Sequence, residues 1–141
     1  MEEEIVKKGV TSIIYDDMGD KWFLILHRTK NWDGWEFVKC SIEGEESPEN
    51  AAAREVFEET GIKKFSLKKK LDLKKEYVDP KNGQKHVHDV FLFEASMNVP
   101  VNISKEEHDT YQWAKKELVK DRLTNESDKK IFEEALSELS G

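Results

Sequence analysis

One cysteine, three prolines and seven glycines are all that 141 residues hold of the types that staple or punctuate a chain. The lone thiol, Cys40, cannot close an intramolecular disulfide, so burial rather than cross-linking must hold the fold, and a reducing, cytoplasmic setting is expected. No apolar run approaches the roughly twenty residues of a membrane span, and the N-terminal MEEEIVKKG lacks the hydrophobic stretch of a secretory signal. No membrane partner is expected. Positive charge is also in deficit, with 23 Lys and Arg against 30 Asp and Glu and a net charge of -7. That balance argues against general capture of nucleic acid. It still permits a phosphorylated small molecule, provided a divalent cation bridges the two negative parties.

Apolar residues make up 37% of the chain, with four Trp and seven Phe, enough for a globular core in one domain over residues 1–141. No internal repeat or low-complexity linker divides it. Residues 5–15 read as a strand and Asp16 to Asp20 as a polar turn. WFLILH, Trp22 to His27, suits a strand buried on both faces. A loop from Thr29 to Gly34 precedes a brief strand at 35–38. Residues 64–77 and 86–95 read as a hairpin turned by DPKNG, Asp79 to Gly83. After a loop over 98–108 come a strand at 111–114 and a short helix at 117–122. The last helix, over 126–139, carries Ile131, Ala135 and Leu139 on one stripe. Strands interspersed with helices imply an α/β (α+β) fold with a mixed sheet covered on both sides.

One helix is sharply punctuated: Ser47 can cap it, Pro48 occupies the tolerated first position and Gly61 can end it. At 100° per residue, Ala53, Val56, Phe57 and Thr60 fall on one side. Glu55, Glu58 and Glu59 gather on the other, with Arg54 able to pair with Glu58 or with Glu46. Like charges at i, i+4 destabilise a helix by roughly 0.2–0.5 kcal/mol per pair. Their place in its C-terminal half, where the dipole also disfavours anions, adds to the cost. A hard divalent cation, Mg²⁺ with Mn²⁺ as the substitute, would offset it, because Mg²⁺ takes oxygen ligands and joins carboxylates to phosphates.

The segment resembles the Nudix box: Gly, five residues, Glu, seven residues, then Arg-Glu-aliphatic-any-Glu-Glu-any-Gly-aliphatic. Here Glu46 and its seven followers lead into Arg54-Glu55-Val56-Phe57-Glu58-Glu59-Thr60-Gly61-Ile62. The box glycine is replaced by Cys40. If that position demands positive φ, a non-glycine residue there costs on the order of 1–3 kcal/mol. The resemblance implies a Nudix-type α/β/α sandwich with its catalytic helix at about 48–60, and a hydrolase of nucleoside diphosphate-linked compounds. It further implies metal ligands from Glu55, Glu58, Glu59, Glu107 and the backbone carbonyl of Cys40. Glu58 is the candidate general base, with Glu107, from a loop before a late strand, as another; Arg54 and Glu46 orient the set.

Outside the box, GWEFVKCSIEGEES, SKEEHDTYQW and LTNESDKKIFEEAL resemble the diadenosine tetraphosphate hydrolases of the superfamily. That implies cleavage to ATP and AMP, with Lys39 and Lys85 on phosphates and Tyr77 stacking on a base. Trp32 and Trp35 could rim the site, though Trp35 equally suits the core, and His86, His88 and His108 read as surface residues. The alternatives are another Nudix activity, on a nucleoside triphosphate, ADP-ribose or an RNA 5′ end, or a nucleotide-binding protein impaired by Cys40. A small-molecule nucleotide is the expected partner, nucleic acid is not expected as a stable one, and the chain is expected as a monomer or homodimer.

Overall fold

The computed structural model describes residues 5–140; the part of the N-terminal reading that rests on Met1 to Glu4 lies outside them. In chain order the elements are β1 (Val6–Met18), β2 (Asp20–Arg28), β3 (Gly34–Glu36), β4 (Val38–Ser41), α1 (Pro48–Thr60), β5 (Phe65–Lys70) and β6 (Lys75–Val78), then β7 (Lys85–Ala95), β8 (His108–Ala114), α2 (Lys116–Arg122) and α3 (Glu126–Ser140). The strands form one mixed sheet along the path β3-β2-β1-β7-β5. β1 and β7 run parallel from Val6 opposite Lys85 to Tyr15 opposite Glu94. The other strand pairings are antiparallel.

β2 shows why the sheet needs two covers. Its side chains alternate, so Phe23 and Ile25 join Ile131, Phe132 and Val119 on one face. Leu24 and Leu26 join Ala51, Ala52 and Val56 on the other. A run apolar at every position is satisfied only between two helical layers. The result is an α/β/α sandwich, with α1 on one side and α2 and α3 on the other. None of the described helices is long and apolar enough to cross a membrane.

β1 also divides one of its edges between two partners. Its C-terminal part pairs with β2 at Tyr15 to Met18, and its N-terminal part pairs with β4 at Gly9 to Ser12. β4 therefore lies directly ahead of α1 and delivers Lys39 and Cys40 beside it. α1 is punctuated as its local chemistry demands. Ser47 Oγ accepts from Asn50 N at 3.1 Å, Pro48 follows, and Gly61 takes φ 71° while its N–H reaches Phe57 O.

Several sequence expectations need correction. The strand expected over 64–77 is broken near Leu71, whose side chain leaves the sheet surface for the core, giving β5 and β6 separately. The strand expected over 35–38 is likewise two short strands flanking fully buried Phe37. β1 runs on to Met18, so the expected polar turn narrows to Gly19 at φ 78°. The face of α1 is rotated from the predicted one: Phe57 is 48% exposed, whereas Glu59 is 5% exposed. The buried line runs through Ala52, Val56, Glu59 and Thr60, and the partner for Glu59 comes from another element.

Candidate active site

Arg54 organises the mouth of α1. Its Nε donates to Glu46 Oε2 at 3.2 Å and its Nη2 to Glu46 Oε1 at 2.8 Å, a two-point pair. Nη1 meanwhile reaches Glu58 Oε2 at 3.1 Å and Glu55 Oε2 at 3.4 Å. Both pairings open to Arg54 in the sequence are thus made together. Glu46 Oε1 also accepts from the Glu43 amide at 2.9 Å, which pins the loop before the helix. Glu55 is the perturbed acid of this group. Burial, reinforced by the neighbouring charges of Glu59 and Glu58, pushes its pKa up to about 7.

Glu59 turns inward and meets His108, the first residue of β8: Nδ1 lies 2.6 Å from Glu59 Oε1. The other ring nitrogen, Nε2, lies 2.7 Å from Glu36 Oε2. An imidazole between two carboxylates must donate from both nitrogens. Burial alone would lower the pKa of His108, but these hydrogen bonds and charges carry it up to about 9. Glu36 is fully buried at the end of β3. Burial would raise its pKa, yet the hydrogen bond from His108 and the charges of Lys39, Arg28 and His108 hold it at about 2. Arg28 Nη1 donates to Glu36 Oε2 at 3.0 Å and reaches Glu107 Oε2 at 3.4 Å. Lys39 Nζ lies 3.2 Å from Glu36 Oε1 as an ion pair, off the line that a hydrogen bond needs, so that oxygen has no hydrogen-bond donor.

Of these groups, Arg28, Lys39, Glu55 and Glu107 line a cavity of about 960 Å³, together with Tyr77 and Trp32. Lys39 Nζ lies 5.6 Å from the Trp32 ring centre and 5.0 Å from that of Tyr77, so one ammonium serves two aromatic walls. Tyr77 is stacked on His86 at 4.7 Å with the rings nearly parallel, and the ammonium groups of Lys39 and Lys75 lie 5.0 and 5.2 Å from its ring centre. Lys75, on the strand of Tyr77, also lines the cavity.

The structure brings together Arg54, Glu46, Glu55, Glu58, Glu59, Glu107, Lys39 and Tyr77. It does not bring Lys85, which lies outside the cavity and pairs with Glu76 at 3.9 Å. His88 and His108 are buried rather than superficial; His88 Nδ1 shares a hydrogen bond of 2.8 Å with Thr11 Oγ1. Trp35 packs against the core, and Trp32 faces the cavity. Glu36, Arg28 and His108 as site residues escaped the sequence reading. The available signal was Glu36 itself, a carboxylate within the apolar GWEFV, because a buried charge requires partners.

Cys40 carries no backbone strain. It lies in β4 opposite Val10, and Asn31 is the non-glycine residue with positive φ among the described residues. Burial pushes its thiol up to about 12, so it stays protonated at neutral pH. Its carbonyl is approached closely by Gly9, where any side chain would meet that oxygen at 2.5 Å. The site suits a hard cation rather than a soft one, because its ionised donors are carboxylates. Glu59, Glu107 and His108 hold candidate ligand atoms within 4.8 Å of one another.

Known proteins share the fold that carries these residues. The profile of the NUDIX domain matches residues 6–135. An RNA pyrophosphohydrolase of Bartonella henselae is 27% identical over 129 residues, covering 76% of this chain and 75% of its own. The crystal structure of a C. elegans Ap4A hydrolase binary complex superposes with a TM-score of 0.81 at 21% identity, over 96% of this chain and 98% of that one. The E. coli dihydroneopterin triphosphate pyrophosphohydrolase gives 0.76 at 20% identity, over 92% and 96%.

Proposed function

The chain belongs to the NUDIX domain family, and on that premise we propose that it hydrolyses a phosphoanhydride bond in a nucleotide, with diadenosine tetraphosphate, split to ATP and AMP, as the substrate. The observation that carries this reading is one cavity lined by Glu55 and Glu107 and by Lys39, Tyr77 and Trp32, with Glu59 offering a ligand atom within 4.8 Å of one from Glu107. Acids and cation-faced aromatics in one cavity match a ligand with a polyphosphate and a base.

Glu55, Glu58, Glu59 and Glu107, with the Cys40 carbonyl, would hold Mg²⁺ or Mn²⁺. Such an ion supplies charge neutralisation of the phosphates and an acidified water. The chain's own residues divide the remaining work. Arg54 holds Glu58 and Glu46 in register, and Lys39 pairs with phosphate oxygens. Tyr77 and Trp32, the two rings that Lys39 approaches, would take up the base. Glu58, at the solvent-facing edge of the set and held by Arg54, is the candidate to accept the proton of the attacking water. The test is hydrolysis of a nucleotide panel with Mg²⁺ or Mn²⁺, products separated and identified. ATP plus AMP from diadenosine tetraphosphate supports the assignment; an intact tetraphosphate beside cleaved ADP-ribose or dNTP overturns the substrate.

A second reading is removal of pyrophosphate from an RNA 5′ end, favoured by the RNA pyrophosphohydrolase among the relatives. A 5′-triphosphorylated oligonucleotide in the same panel decides between them.

A further inference from the structure

Glu36 links, through its contacts, the inward-turned Glu59, the loop residue Glu107 and the aromatic wall of the cavity. It is fully buried, and the β2–β3 ladder fixes it opposite Leu26. Three cations touch it, and each has further contacts in the site. His108 goes on to Glu59, at 2.6 Å. Arg28 goes on to Glu107, at 3.4 Å. Lys39 goes on to the rings of Trp32 and Tyr77.

This arrangement is a poor device for stability. A buried ion cluster is often no better than apolar packing, and here one carboxylate oxygen has no hydrogen-bond donor. It is a good device for geometry, because one rigidly held carboxylate sets the position of three long or rotatable side chains. It also determines what His108 can do. With both ring nitrogens engaged, His108 steers Glu59 and is not itself a ligand.

We propose that Glu36 is a positioning residue that places Glu59 through His108 and Glu107 through Arg28 for the cation, and places Lys39 for phosphate, so that metal uptake and substrate grip share one support. This rests on the hydrolase reading above for its substrate half; the metal half stands on the carboxylates alone.

The test measures Mn²⁺ binding to the metal-free full chain by electron paramagnetic resonance, with no substrate present, alongside far-UV circular dichroism and steady-state kinetics. Glu36→Gln is expected to weaken Mn²⁺ binding by about 10–100-fold with a native spectrum, the scale on which supports behind metal ligands act. It is also expected to raise KM as well as lower kcat, because Lys39 is released too. His108→Asn keeps an amide donor toward Glu59 and gives up the contact with Glu36. It should weaken Mn²⁺ with KM unchanged, and it carries the metal comparison if Glu36→Gln does not fold. Folded variants whose Mn²⁺ affinity equals that of the parent overturn the proposal, even when their melting temperature falls. Altered Mn²⁺ binding in a chain that cleaves nothing in the panel would sink the hydrolase reading and leave the metal half of this one standing.

Discussion

Arg54 and Glu46 meet through two nearly parallel hydrogen bonds, at 3.2 and 2.8 Å, across eight residues of sequence. The contact closes the loop before α1 onto the helix and leaves Nη1 free to hold Glu58. Arg54→Lys keeps the charge and loses the fork. Hydrolysis should fall about 10–100-fold, as for other supports of metal ligands, while stability changes little because the pair is partly exposed. Unaltered kinetics would show that Arg54 is only a surface tether.

The double substitution Glu58→Gln with Glu59→Gln removes two of the crowded charges without changing their size. Metal-dependent hydrolysis should drop by about a hundredfold or more, since each tenfold requires only about 1.4 kcal/mol of transition-state stabilisation. Product release measured at saturating Mg²⁺ checks it. Cleavage that continues undiminished would mean the chemistry lies elsewhere.

Cys40→Gly should not improve the protein. The residue lies in a strand with ordinary φ, so glycine relieves no strain. Its added backbone freedom instead costs roughly 0.5–1 kcal/mol. Thermal melts should show a slightly lower midpoint and kinetics no gain. A marked rise in kcat would show that the thiol itself hinders the site.

Tyr77→Ala should raise KM for a base-bearing substrate about tenfold or more, in line with the roughly 1–3 kcal/mol a base gains from stacking on an aromatic ring. Inorganic tripolyphosphate, which has no base, should bind parent and variant alike in competition assays. Equal losses for both would assign Tyr77 to packing of its strand.

Acid stability should carry the signature of His88. Burial, with the charges of Lys75 and Lys39, pushes its pKa down to about 2. Below its ordinary value of 6.5 the unfolded chain binds a proton that the native chain refuses, so stability is complete above that pH and is lost as pH falls. The slope from this group is about 1.4 kcal/mol per pH unit. Urea melts between about pH 6.5 and 5 should show a shallower decline for His88→Gln. Matching slopes would mean that His88 takes up its proton while folded.

Where contacts are local, the residues announced them. Ser47, Pro48 and Gly61 bound α1 because a cap hydrogen bond, a fixed φ and a left-handed turn are settled within a few positions. WFLILH implied two apolar covers, and its alternating side chains find them in α1 and α3. The spacing of Arg54, Glu55, Glu58 and Glu59 pointed to the family, which the NUDIX match over residues 6–135 shows. The reading failed at Phe57 and Glu59, because periodicity gives a helix its faces but not its rotation against a neighbour.

The sequence alone determined which carboxylates are crowded, since that follows from 3.6 residues per turn. The tertiary structure decided what each carboxylate touches. His108 joins Glu59 and Glu36 across 49 and 72 residues of chain, and Lys85 pairs with Glu76 and does not itself line the cavity. Charges reach one another through space, and it is the pairing of β2, β3 and β8, with the end of α1 tied to the loop before β8, that brings Glu36, Glu59 and His108 within hydrogen-bond range.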